Sequence, residues 1–145
     1  MVKWSLEYTF DVDTKNRVIY AKVFGIWKAE IARGYHEDFK VEVQPILGKP
    51  WAKLIDLTNW RTSYPEVIDI IGEHMEWSRQ HDVALSLYVL NNPSTFRQLH
   101  QMFAAGGTKE ISMTFRTLAE AEAYLAWLKA GNVGTHHKAT MEMKP

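Results

Sequence analysis

The stretch Trp51-Ala-Lys-Leu-Ile-Asp-Leu-Thr-Asn-Trp-Arg-Thr-Ser-Tyr-Pro-Glu66 decides the fold class. Its first half, Trp51 to Leu57, is apolar and rich in strand formers, and it reads as a buried strand. Its second half reads as a helix start. Ser63 and Glu66 stand three residues apart, the spacing of a capping box, and Pro65 fits the first helical turn, where no backbone N–H is needed. A strand that feeds a helix through a short polar loop is half of a parallel α/β unit. Here the loop holds Asp56, Thr58, Asn59, Trp60, Arg61 and Thr62.

The same grammar extends both ways from this stretch. Towards the N-terminus, Tyr8, Phe10 and Val12 alternate with Glu7, Thr9 and Asp11, a half-buried strand. A turn at 13–16 returns the chain into a second strand, Arg17 to Phe24, with Val18, Tyr20 and Phe24 on one face, and the pair is an antiparallel hairpin. A helix from about Lys28 to Val43 follows, with Ile31, Tyr35 and Phe39 as its buried stripe. Gly34 weakens that helix by up to about 1 kcal/mol unless something packs closely against it.

Towards the C-terminus, a helix from Tyr64 to His81 buries Val67, Ile70, Ile71, His74 and Met75. Val83 to Leu90 is apolar on both faces, as a central strand covered on both sides must be. Asn92 caps a third helix, with Pro93 at its first position and Phe96, Leu99 and Phe103 inward. Gly106 and Gly107 stop it. A last strand, Ile111 to Phe115, leads to a fourth helix opened by Thr117 and Glu120, with Leu118, Ala121, Leu125 and Leu128 inward.

The order is β-β-α-β-α-β-α-β-α: one α/β domain over 1–131 with a five-stranded mixed sheet, then a polar tail, 132–145. Right-handed crossovers with strands added in sequence put the helices mainly on one face. The other face then needs a cover: a second subunit in a homodimer, the tail or a ligand.

Composition removes several functions. Lys plus Arg equals Asp plus Glu, 17 against 17, so a nucleic-acid surface is not expected. With no cysteine there is no disulfide, no Cys-bound metal and no thiol chemistry. No stretch reaches the roughly 20 apolar residues of a membrane span. The N-terminal Met-Val-Lys-Trp-Ser lacks the apolar run of a signal peptide, so the expected setting is cytoplasmic.

The carboxyl ends of the strands gather Asp56, Thr58, Asn59, Trp60, Arg61, Asn91, Asn92, Arg116 and Thr117, the edge where open α/β sheets bind ligands. Helix N-termini at Ser63, Asn92 and Thr117 favour an anion there. The simpler reading makes the same residues ordinary caps. Asp56 likewise reads as a carboxylate holding the Thr58–Arg61 turn, since no second catalytic partner accompanies it. His74 and His81 are seven apart, where a metal site wants three or four, so no metal or cofactor is expected. No catalytic motif emerges. Trp27, Trp60 and Tyr64 gather near the same edge, either lining an apolar pocket between the first two helices or plugging the top of the core.

The element order, with Leu54-Ile55-Asp56-Leu57 leading into a helix, resembles the STAS domains of anti-sigma-factor antagonists and, more closely, the SpoIIAA-like bacterial proteins. The narrower likeness rests on Gly25-Ile26-Trp27, Lys49-Pro50-Trp51, Asp56 followed by Trp60, and Glu73-His74-Met75-Glu76-Trp77. It covers roughly Leu6 to Ala130. The resemblance implies a β-α superhelical fold shared with the lipid-binding module of Sec14-type proteins, and no catalysis. It also implies a phosphoacceptor after the third strand, which puts Ser63 or Thr62 in that role. Arg61-Thr62-Ser63-Tyr64 lacks the acidic residue and the glycine of the antagonists' Asp-Ser-Ser-Gly. The leading expectation is therefore a non-catalytic module that binds a partner protein or itself. The alternative is a binder or carrier of a small apolar or amphipathic, lipid-like ligand.

Overall fold

A computed structural model describes residues 3–4 and 7–131. The expected tail at 132–145 lies outside the described residues. The chain forms β1 (Lys3–Trp4), β2 (Tyr8–Asp13), β3 (Val18–Gly25), α1 (Ala29–Glu42), β4 (Trp51–Trp60), α2 (Glu66–Gln80), β5 (Val83–Val89), α3 (Pro93–Gly106), β6 (Ser112–Phe115) and α4 (Leu118–Lys129). Short 3-10 turns at Gln44–Ile46 and Lys109–Ile111 complete it.

The sheet follows sequence order, β1-β2-β3-β4-β5-β6. The expected five-stranded mixed sheet is β2 to β6, and the two-residue β1 extends its edge. β1–β2 and β2–β3 pair antiparallel, and every later pair is parallel. The hairpin turn is held by the Asp13 carboxylate, which accepts from the backbone and side chain of Asn16 at 3.1 and 2.8 Å.

α1, α2 and α3 are the crossovers, and all three pack on one face. Their Tyr35, Phe39, Val67, Met75, Leu99 and Phe103 share one core with Phe10, Ile19, Ala21, Trp51 and Ile55 of the sheet. α4 is different. Its Ala121, Tyr124 and Leu125 pack on the opposite face with Leu54, Leu85, Leu87, Val89, Met113 and Phe115. The expectation of a bare second face is corrected here. The crossover rule fixes a helix only between two parallel strands. α4 follows the last strand, so it is free to cover the apolar side chains that β4, β5 and β6 turn away from the other helices.

Three local readings also change. β4 runs to Trp60, not Leu57, pairing Asn59 and Trp60 with Phe24 and Gly25 past an irregularity between Lys22 and Phe24. On β3 the residues facing α1–α3 are Ile19, Ala21 and Val23, while Val18 belongs to the core under α4. Ser63 caps nothing: α2 starts at Glu66 without a side-chain cap. The other two caps form as expected. Asn92 Oδ1 accepts from the Ser94 N–H, and Thr117 and Glu120 make a reciprocal box.

Two glycines mark close approaches. A Cβ on Gly34 would sit 3.2 Å from the Tyr8 hydroxyl, which donates to Asp38 Oδ2 at 2.6 Å. That packing answers the weak point expected in α1. A Cβ on Gly106 would fall 2.6 Å from the carbonyl oxygen of Gly72, so α2 and α3 touch backbone to backbone. Gly106 is therefore a contact residue, and Gly107, at φ 68°, is the helix stop.

Candidate functional site

At the carboxyl edge, to which the sequence points, the polar side chains serve the local backbone. Asp56 accepts at one oxygen, Oδ1, from the Thr58 N–H at 3.0 Å and the Thr58 hydroxyl at 2.7 Å. Asn92 is occupied as a cap and Asn91 is exposed. Thr58, Asn59, Arg61 and Arg116 are exposed side chains. Thr62 is exposed too, whereas Ser63 is buried. The Ser63 hydroxyl accepts from the Trp27 N–H at 2.9 Å and donates to the Arg61 carbonyl at 2.9 Å. Its backbone N–H and C=O are both held by the Gln98 amide, at 2.7 and 2.9 Å. Ser63 thus ties the β3–α1 loop and α3 to the end of β4.

The aromatic trio separates. Trp27 and Trp60 are buried, whereas Tyr64 is 47 % exposed and Ile26 is 55 % exposed. Tyr64 and Ile26 belong to segments joined by the Tyr64 N–H donating to the Trp27 carbonyl.

Behind Trp27 and Trp60, between the sheet and the crossover helices, is a cavity of about 40 Å³. Every residue that lines it is buried. Most of its wall is apolar: Val23, Ile55, Leu57, Ile71, Leu99 and the two methionines Met75 and Met102. The remaining lining residues are Trp27, Trp60, Tyr35, Tyr88, Lys53 and His74.

Lys53 is the anomaly. β4 alternates, so Lys53 shares a face with Trp51, Ile55 and Leu57 and points into the core with 2 % exposure. Its ammonium group lies 3.2 Å from Ser78 Oγ and 3.4 Å from His74 Nε2. It stands 5.2 Å over the Phe39 ring, a cation–π geometry. The Ser78 hydroxyl donates to the His74 carbonyl at 3.1 Å, which leaves its lone pairs for the lysine. Among the described residues no carboxylate comes within ion-pairing distance of Lys53. Burial alone pushes its pKa down to about 7.

The imidazoles continue the line. His74 Nδ1 is 2.9 Å from His36 Nδ1. With Lys53 donating to His74 Nε2, His74 carries its proton on Nδ1, and His36 accepts on Nδ1 and holds its own proton on Nε2. Burial, then the charge of Lys53, holds His74 well below the ordinary histidine range. Burial, then Lys40, lowers His36 as well. The phenols of Tyr35 and Tyr88 are raised by burial, and so stay protonated.

One more group is left open. Trp60 is 5 % exposed, and among the described residues its buried indole Nε1–H has no partner. Trp27, by contrast, donates from Nε1 to the Phe24 carbonyl at 2.9 Å.

Sequence reasoning reached Trp27 and Trp60 but passed over Lys53, His36, Ser78 and Tyr88. The register of β4 was the available signal for Lys53, since period two sets it between Trp51 and Ile55. Nothing in the sequence brings His36 to His74, which are 38 residues apart. His81, paired with His74 by spacing, instead stacks on Trp77 at 4.2 Å. Among the described residues no cluster of three metal-ligating side chains occurs, and no helix is long and apolar enough to cross a membrane. No protein-family model matches the chain, and no curated protein matches it.

Proposed function

We propose that this chain is a non-catalytic binding protein that holds a small, largely apolar ligand inside the domain, in the cavity bounded by Lys53, Trp60 and Tyr88. A single observation carries the reading. An almost wholly apolar cavity lies between the sheet and the crossover helices, walled by buried aliphatic and aromatic side chains and by two flexible methionines, Met75 and Met102. Empty apolar space leaves its lining atoms without contact partners, and an apolar ligand supplies them. Apolar walls with a few convergent polar groups are the usual make-up of a small-molecule site.

Membership of the SpoIIAA-like, STAS-type group is part of the same proposal. It is supported by the sequential strand order and by three crossover helices on one face. Under that reading the protein acts as a carrier or sensor and not as an enzyme.

Native mass spectrometry of protein purified without refolding tests the proposal. A retained small mass, released on denaturation, is the expected result. Protein that is bare from every expression host and takes up no small apolar compound counts against it. A second reading, docking of a partner protein or a second copy, is favoured by Ile26 and Tyr64, exposed together at the carboxyl edge. Replacing both with serine would weaken such an association and leave ligand retention unchanged, which separates the two.

A further inference from the structure

We propose that the His36–His74 pair is an acid-released latch between α1 and α2, and that parting these two helices opens the way to the cavity behind them. The gate rests on the internal-ligand reading; the latch does not. The first ground is the contact itself. His36 of α1 and His74 of α2 meet Nδ1 to Nδ1 at 2.9 Å, with their rings at 81°. A bond between two ring nitrogens holds one proton, given by one imidazole and accepted by the other. When His36 gains a proton, both its nitrogens carry N–H, and its Nδ1–H faces the Nδ1–H of His74. His74 can yield that proton only by carrying one on Nε2 instead, where it meets the Lys53 ammonium 3.4 Å away. The line from Lys53 through His74 to His36 therefore keeps its bonds with one positive charge or none, and loses one with two.

The second ground is the surroundings. His36 is the half-buried end of the line, whereas His74 and Lys53 are each 2 % exposed. Glu37 and Lys40 from α1, Glu73 from α2 and Lys53 from β4 bear on His36, and Lys40 is paired with Glu37 at 3.0 Å. Lys53, His36 and Lys40 bear on His74, all with positive sign, beside the protonated phenol of Tyr35. The register partners of Lys53 on β3 and β5, Ile19 and Ser86, bring no charge. Among the described residues no carboxylate lies within ion-pairing distance of His74 or Lys53 to balance a second proton. Burial holds both imidazoles below the ordinary histidine range, so the latch is closed at neutral pH. It is lost as pH falls below about 6.5, the value that the parted rings regain.

The third ground is how the helices are held elsewhere. α2 and α3 touch backbone to backbone at Gly72 and Gly106, a contact that does not titrate. The α1–α2 seam is bridged by the two imidazoles. Tyr35, next to His36, and His74 itself stand on the cavity wall. Every lining residue is buried, so a ligand enters only when an element moves. α1 is the element that a proton releases.

The test is backbone hydrogen exchange of the full chain at about pH 7.5 and about pH 5.5, corrected for the intrinsic pH dependence of exchange. Protection of α1 is expected to fall about tenfold further than that of α3 and α4. His36→Asn keeps an acceptor opposite His74 and cannot gain a proton, and is expected to abolish the difference. Equal losses in α1 and α3, or the same α1 loss in His36→Asn as in wild type, would overturn the latch. Where His36→Asn does not fold, the wild-type comparison of α1 with α3 decides. Xenon, which enters dry apolar cavities, is the probe for the gate. Its exchange with the cavity, read at labelled Met75 and Met102 methyls, is expected to be faster at the lower pH. Equal rates at both pH values would overturn the gate and leave the latch standing. Methyls that xenon moves at neither pH would remove the internal-ligand reading and the gate with it, while hydrogen exchange still decides the latch.

Discussion

The carboxyl edge and the interior around the cavity use their polar side chains in opposite ways. At the edge, Asp56 is turned onto Thr58, Asn92 onto Ser94, and Thr117 and Glu120 onto each other. Each of these groups is satisfied within four residues of chain. Around the cavity, Lys53 and Trp60 are buried without a full set of partners among the described residues. The difference teaches that a site is better recognised by polar groups left open than by polar groups gathered together, because burial without a partner is costly and a surface turn is not.

The comparison breaks most violently at its aromatic support. Phe39 is fully buried and packs its ring against Phe10, Tyr35, Trp51 and His74. Phe39→Ala is expected to cost about 3–5 kcal/mol in denaturant unfolding, and to remove the ring beneath the Lys53 ammonium. A loss below about 1 kcal/mol would mean that the interior is not packed around Lys53 as described.

The next effect is a pH signature. Lys53 titrates near 7 when folded and near 10.5 when unfolded, so between those values the unfolded chain binds more protons. Stability should therefore rise with pH from 7 towards 10, by up to ~1.4 kcal/mol per pH unit, and the rise should vanish in Lys53→Met. His74 acts at the acid end with the same sign. Its folded pKa is lowered, so stability is lost as pH falls below the ordinary histidine value of 6.5. Chemical denaturation at a series of pH values reads both slopes. Identical pH profiles for wild type and Lys53→Met would contradict the buried, unpaired lysine.

The edge should respond more weakly. Asn92→Ala removes one N-cap bond and is expected to cost about 1 kcal/mol, with the Met75 and Met102 methyl signals unmoved. Asp56→Ala removes two bonds of a half-exposed turn and should cost only about 0.5 kcal/mol. A larger loss at Asp56 than at Phe39 would reverse the ranking of the two regions.

Much of this fold was legible in the sequence because its signals are local. Period two reads out β2, an unbroken apolar run reads out β5, period 3.6 reads out α1 to α4, and Asn92 and Thr117 cap within three residues. The misreadings come where a local pattern meets a distant partner. Ser63 and Glu66 have capping-box spacing, but Trp27 and Gln98, 36 and 35 residues away, claim Ser63 first. α4 crosses to the second face because no later strand fixes its hand. In the candidate site, Trp27 and Trp60 were visible as aromatics beside an edge. Lys53 was hidden because a lysine in an apolar strand is ordinarily expected to reach for water. Only α2, which brings His74 and Ser78 to it, shows that it does not.

The most direct measurement is the pKa of Lys53 followed at its side-chain nitrogen by NMR, with Lys53→Met to assign the signal. The account predicts one lysine titrating near 7, apart from the rest. A Lys53 that titrates with the surface lysines would contradict it.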